Sequence, residues 1–227
     1  MAKKGNKTED QFAQIEQSLS STEQFIEKNQ KQLSMVVGGI IAVIALVVGY
    51  QKLYIAPMEE NAQTDMFMAQ LYFEKDSFNL ALNGDGQYLG FLDIIDDYSI
   101  TKSGNLATYY AGLSYLHIGD FDSAIEYLED FSSDDAILSA LALGCIGDAY
   151  MELEEVDKAL SYYKDAANHN DNDFTTPRYM FKRASILEKN GELEDALDLY
   201  KEIKQKYKLS KVGQDIEKYI SRVENAL

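Results

Sequence analysis

Eighteen consecutive residues, Leu33 to Tyr50, carry no charge and present no polar face: LSMVVGGIIAVIALVVGY. As a helix the run covers roughly 27 Å, or about 34 Å if continued to Ile55. A bilayer core is about 30 Å thick. The alternative is a buried core helix, but an 18-residue run with no polar face rarely lies in a soluble core, so residues 33–55 read as a membrane span. A cleavable export signal has an apolar stretch of about 7–15 residues and a small-x-small exit. Here the stretch is longer, starts later and leaves as GYQKLYIAPMEE, without such a pair. It is expected to remain as a permanent anchor. Lys28 and Lys31 precede the run, with Lys3, Lys4 and Lys7 further back, whereas Lys52 alone follows closely. Lysine-rich flanks stay in the cytoplasm. The tail 1–32 is therefore expected inside, and residues 57–227 on the far side. Within the tail, Phe12, Ile15 and Leu19 have helical spacing, and Ser21 with Gln24 fits a capping box that starts a helix near Thr22.

Charge separates the same parts. Residues 57–227 hold 15 Lys/Arg against 33 Asp/Glu, while residues 1–56 hold 6 against 5. The excess is concentrated in 57–157, where 21 acids face only Lys75 and Lys102. Such a field repels nucleic acid and anionic lipid alike, and favours basic partners. Cys145 is the only cysteine, so no internal disulfide can form.

Two prolines and little strand-like alternation predict an all-helical chain. Three segments align on Ala124, Ala159 and Ala196: LATYYAGLSYLHIGDFDSAIEYLEDF, LALGCIGDAYMELEEVDKALSYYKDAA and RYMFKRASILEKNGELEDALDLYKEI. They recur at a period close to that of tetratricopeptide repeats, which they resemble. That pattern has a small residue at position 8 (Gly112, Gly147, Ala184), a ring at 11 (Tyr115, Tyr150; Leu187 in the third) and alanine at 20. Small residues let two helices approach closely, and the ring is expected to fill the gap between hairpins. Gly119-Asp120 and Gly191-Glu192 supply turns, glycine being free to take positive φ. The second repeat departs, with Glu154-Glu155 there. A fourth, worn copy spans 62–97, with Ala69, Tyr72, Phe78 and Ala81 in register. Gly84, Gly86 and Gly90 predict that its second helix is kinked or in two pieces. Residues 210–227 carry Val212, Ile216, Tyr219, Ile220 and Val223 on one face, as an end-cap helix would. The expected fold is one transmembrane helix followed by an α-solenoid of about four hairpins and a cap.

No catalytic or metal-binding constellation is recognisable. His117 and His169 are the only histidines. Asp171-Asn172-Asp173 lacks the glycine and closing glutamate of a calcium loop and reads as a turn before Thr176 and Pro177. The chain is expected to be no enzyme, to need no cofactor and to take no small-molecule substrate. A surface remains. Resemblance to the repeat family implies that positions 2, 5, 9, 12 and 13 line a concave partner-binding groove. These are Met66 and Phe73, then Leu106, Tyr109, Leu113, Leu116 and His117. Leu141, Gly144, Asp148, Met151 and Glu152 follow, and then Arg178, Phe181, Ser185, Glu188 and Lys189. The strongest candidates are Met66, Phe73, Tyr109, Leu113, Leu116, Asp148, Met151 and Phe181. Either this groove is open or a helix of the same chain covers it. A basic clamp for a peptide carboxylate is absent, since Tyr109 and Leu113 stand where Lys and Asn would be needed.

The layout FIEKNQKQL, then the span bounded by Leu33 and Tyr50 with Gly38 and Gly39 within it, then a long helix into degenerate repeats, is similar to the YfgM family. The resemblance implies a single-pass protein of the bacterial inner membrane, N-terminus cytoplasmic, with its repeat domain in the periplasm. It implies an ancillary subunit of the Sec translocon, partnered by a membrane-anchored chaperone of the PpiD type and assisting exported clients. The alternative is a membrane-tethered scaffold holding one fixed partner in an envelope assembly or secretion complex.

Overall fold

The structure is a computed structural model that describes the backbone from Asn6 and side chains from Glu23. The chain divides into two compact units, Met1–Pro57 and Met58–Leu227.

In the first unit, α1 (Asn6–Tyr50) is one helix. It does not begin near Thr22 as the Ser21–Gln24 pattern predicts, because residues 21–24 lie inside it. Phe12, Ile15 and Leu19 lie outside the residues whose side chains are described. The apolar run is long and apolar enough to cross a membrane, and none of it is buried by protein. Ser34 donates its hydroxyl to the Gln30 carbonyl at 2.6 Å and so carries no unmet donor into an apolar surrounding. A π-helical turn, Gln51–Ile55, follows α1, and the Ala56 N–H donates to the Gln51 carbonyl five residues back. Pro57 explains the change of register. It has no N–H, and its ring would crowd the carbonyl four residues earlier. Widening the turn by one residue before the proline avoids that clash.

The second unit is all-helical among its described residues. Four hairpins succeed one another: α2 (Ala56–Glu74) with α3 (Phe78–Asn83) and α4 (Phe91–Tyr98); α5 (Lys102–Ile118) with α6 (Phe121–Asp130); α7 (Ala136–Glu152) with α8 (Val156–Asn168); α9 (Thr175–Lys189) with α10 (Leu193–Lys206). Two short helices close the stack, α11 (Lys211–Asp215) and α12 (Glu217–Glu224). The worn repeat does have a second helix in two pieces. Between them the chain passes so close to itself that a Cβ on Gly90 would lie 2.2 Å from the Leu82 carbonyl oxygen.

The repeat register is visible in the packing. Ala81, Ala124, Ala159 and Ala196 are all fully buried. Opposite them, a Cβ on Gly112 would sit 2.6 Å from Leu128 Cγ, and one on Gly147 would sit 2.8 Å from the Tyr163 ring. Position 8 thus packs directly on position 24 of the same hairpin. The rings at position 11 stack on a ring of their own hairpin and also border core clusters shared with a neighbouring one. Tyr115 stacks on Tyr127 at 5.2 Å, and Tyr150 on Tyr162 at 5.4 Å. Tyr179 of the fourth hairpin covers Gly144 of the third so closely that a Cβ there would overlap its ring at 2.0 Å.

All four hairpins use one turn. The carbonyls of Tyr72, Tyr115, Tyr150 and Leu187 each accept the N–H five residues on, at 2.9–3.0 Å. The residue before that donor has positive φ: Asp76 at 56°, Gly119 at 83°, Glu154 at 61° and Gly191 at 86°. This is the bond pattern with which helices commonly end on a left-handed residue. Glu154 performs the glycine role with a side chain, at a backbone cost of roughly 1–2 kcal/mol. Its replacement by glycine is expected to stabilise the domain by about 0.5–1 kcal/mol, because glycine's larger unfolded-state entropy offsets part of the relief. A raised thermal midpoint of Glu154→Gly in circular dichroism would show this; a lowered one would place Glu154 outside the left-handed turn.

At the C-terminal end, Ile216, Ile220 and Val223 are buried in one core cluster with Tyr200 and Ile203. Arg222 pairs with Glu188 through two hydrogen bonds of 2.7 Å. That guanidinium holds the Glu188 carboxyl below the usual range.

Candidate functional site

The sequence-derived groove residues separate into three groups. Met66 and Tyr109 are buried. Met66 packs in the cluster with Ala69, Phe91 and Ile94. Tyr109 lies 5.1 Å from Phe131, which takes an extended conformation at the end of the short helix α6 and folds over it. Gly144 is also buried, beneath Tyr179. None of the three offers a surface.

A second group is half-buried against the chain itself. Phe73 meets Phe78, Phe91 and Tyr110 edge-on, and the exposed His117 stacks on Phe78 at 4.3 Å. Leu113 borders the core cluster that holds Tyr109 and Leu128. Phe181 lies against Tyr219 of the end cap at 4.7 Å. In the last repeat the chain therefore covers its own groove position.

The third group is brought together. Leu116, Asp148 and Met151 line one cleft of about 650 Å³, with His117 and Glu152 beside them. Position 12 supplies Leu116 from α5 and Met151 from α7. The cleft also takes residues that the repeat positions did not indicate: Ile118, Phe121, Tyr163 and Lys182. Phe121 opens α6, directly after the hairpin turn, so repeat spacing alone could have suggested it. Lys182 comes from the next repeat, and no local signal marks it.

The cleft has apolar walls and a polar floor. Leu116, Ile118, Phe121 and Met151 form the walls. On the floor Asp148 accepts the Tyr163 hydroxyl at 2.5 Å and pairs with Lys182. The Lys182 ammonium also lies 5.3 Å from the centre of the Tyr163 ring. Burial, and then the bond to Asp148, push the Tyr163 hydroxyl far above its ordinary value, so it acts only as a donor. Asp148 is thus held by two internal partners and ties α7, α8 and α9 together. The hairpin turns beside the cleft carry Asp120, Asp122, Glu154 and Glu155. Apolar walls between acidic turns can seat an apolar side chain flanked by bases. Methionine suits such a wall because its unbranched thioether adapts to different occupants.

The floor holds no activated nucleophile. Burial, reinforced by Asp148, pushes the nearby Cys145 thiol up to about 11, far from the depressed values of reactive cysteines. Among the described residues no three His, Cys, Asp or Glu side chains converge on a metal position. A separate cavity of about 390 Å³, bounded by Leu128, Phe131, Leu143 and Tyr162, lies between the second and third hairpins.

Models of the tetratricopeptide repeat match residues 106–135 and 145–210. No curated protein matches the chain. Among solved structures, the nearly identical tetratricopeptide-like repeats of a kinesin light chain from Podospora anserina are similar in fold. That likeness has a TM-score of 0.54 at 13% identity, over 74% of this chain and 87% of the other. The chain carries tetratricopeptide repeats in a helical solenoid, a scaffold for protein–protein interaction.

Proposed function

We propose that the chain is a membrane-anchored interaction protein that receives extended, basic-apolar protein segments in the cleft between its second and third hairpins. The cleft carries this reading, because it is the place where Leu116, Asp148 and Met151, named from repeat position alone, share one open surface. The acidic charge of residues 57–157 supports a basic segment as occupant, since complementary charge speeds encounter. The uncharged run 33–50 supports the anchor, and the lysine asymmetry around it supports a cytoplasmic N-terminus with the repeats in the periplasm of a bacterial inner membrane. Similarity of layout to the YfgM family extends the proposal to an ancillary role at the Sec translocon. There the cleft would assist exported chains beside a membrane-anchored chaperone.

The test is partner recovery from gently solubilised membranes by the full chain and by a Leu116→Ala, Met151→Ala double variant. Both side chains are half-buried, so helicity should persist. Recovery is expected to fall at least tenfold, since anchors in an interface are worth about 2 kcal/mol or more each. Unchanged recovery by the folded double variant would remove the cleft from the interaction. Recovery of one envelope assembly alone, with no exported chain, would favour the fixed scaffold.

A further inference from the structure

Four of the exposed apolar side chains lie at the turns that lead into α5, α7, α9 and the closing helix α11. They are Ile100 before α5, Ile137 at the start of α7, Phe174 before α9 and Leu209 before α11, at 52%, 43%, 57% and 77% exposure. Direct bonds link the turns before α2, α5 and α7 to one another and, separately, those before α9 and α11. Glu59 in the first turn of α2 accepts from the Ser103 N–H and hydroxyl at the start of α5. Asn105 exchanges two hydrogen bonds with Ser132, before α7. The Tyr207 hydroxyl, before α11, donates to Asp171, before α9, at 2.5 Å. Glu59 is also the second residue of the repeat unit, so the chain enters this unit at the first of these turns.

The charge beside these residues changes along the row. Ile100 has Asp96 and Asp97 against Lys102 within four residues, and Ile137 has Asp134 and Asp135. Phe174 has Asp171 and Asp173 against Arg178. Leu209 alone has only bases, Lys206, Lys208 and Lys211. Among the described residues neither Lys208 nor Lys211 forms an ion pair, while Lys206 pairs with Glu202. The most exposed large apolar side chain of the repeat unit is therefore the one whose charged sequence neighbours are bases alone, with Asp171 and Glu202 reaching the turn only through Tyr207 and Lys206.

We propose that the Leu209 turn is a second membrane contact. Leu209 enters the headgroup–acyl boundary of an anionic bilayer, with the unpaired Lys208 and Lys211 on the lipid phosphates. This rests on the membrane anchor proposed above. An apolar side chain among lysines is the chemistry that holds amphipathic segments at a lipid surface. The acidic turns at Ile100 and Ile137 are repelled by the same surface.

The chain contains no tryptophan, so single tryptophans report directly. The full chain is reconstituted as Leu209→Trp, as Ile44→Trp within the apolar run, and as Ile118→Trp at a hairpin turn. The vesicles are of phosphatidylcholine with one part in three phosphatidylglycerol, with and without brominated acyl chains. Ile44→Trp should be strongly quenched by bromine and Ile118→Trp hardly at all. Leu209→Trp should lose roughly half its emission, as a side chain at the headgroup–acyl boundary does. Adding Lys208→Glu and Lys211→Glu, or omitting phosphatidylglycerol, should restore it. If Leu209→Trp is quenched no more than Ile118→Trp while Ile44→Trp is quenched, the second contact is overturned and the anchor stands. If Ile44→Trp is also unquenched, both fall.

Discussion

Replacing Tyr200 with alanine is expected to be among the most damaging single changes in the repeat domain, costing about 3–5 kcal/mol. The ring is fully buried where α9, α10 and α12 meet. It lies 5.8 Å from the Phe181 ring and 5.6 Å from that of Tyr219. Its hydroxyl donates to Glu188 at 2.9 Å, the carboxylate that also receives Arg222. Burial pushes this hydroxyl up to about 12, so it remains a donor throughout the neutral range. Alanine removes the ring that both neighbours rest on and leaves a cavity that backbone cannot fill. For a domain of this size the thermal midpoint should fall by roughly 10 °C. Tyr200→Phe keeps the ring and loses the hydroxyl's bonds to Glu188 and Ser185, a cost of about 1–2 kcal/mol. Thermal melts of the full chain and both variants, followed by circular dichroism, measure the difference. If the two variants melt together, Tyr200 acts through its hydroxyl and the packing described here for the end cap is wrong.

How far the sequence reveals this architecture depends on what each residue touches. Ala124, Ala159 and Ala196 mark the register because only a small residue fits where two helices of one hairpin meet, and the same constraint recurs in every repeat. The uncharged run is legible as a helix long and apolar enough to cross a membrane, and the structure leaves it unburied by protein. The worn first repeat is legible through Ala69, Ala81 and its glycines, although its second helix is broken.

The groove was harder to read. Repeat position places a side chain on the first-helix face but does not say what comes to lie on it. Tyr109 has the right position, yet α6 ends early and Phe131 closes over it. Phe181 has the right position, yet the end cap stacks Tyr219 against it. Asp148 reaches the cleft, but Lys182, 34 residues on, engages it. Each of these outcomes depends on a partner far away in sequence whose own residue type carries no mark. The turn at Glu154 is similar. Four hairpins share one backbone geometry, so the surrounding helices impose a left-handed residue even where glycine is missing.

The proposed role of the cleft requires the repeat domain to sit outside the cytoplasm on a single uncleaved span. The largest expected effect is therefore one of topology, and it is all or none. Lys28 and Lys31 on one side of the run, against Lys52 on the other, set the direction. Protease is added to intact spheroplasts of a bacterial cell producing the full chain, tagged at its N-terminus. Digestion should remove the domain beyond Pro57 and leave a membrane-bound fragment that keeps the tag and the apolar run. Full protection of the domain until the cells are lysed would reverse the orientation, and release of the intact chain into the soluble fraction would remove the anchor altogether.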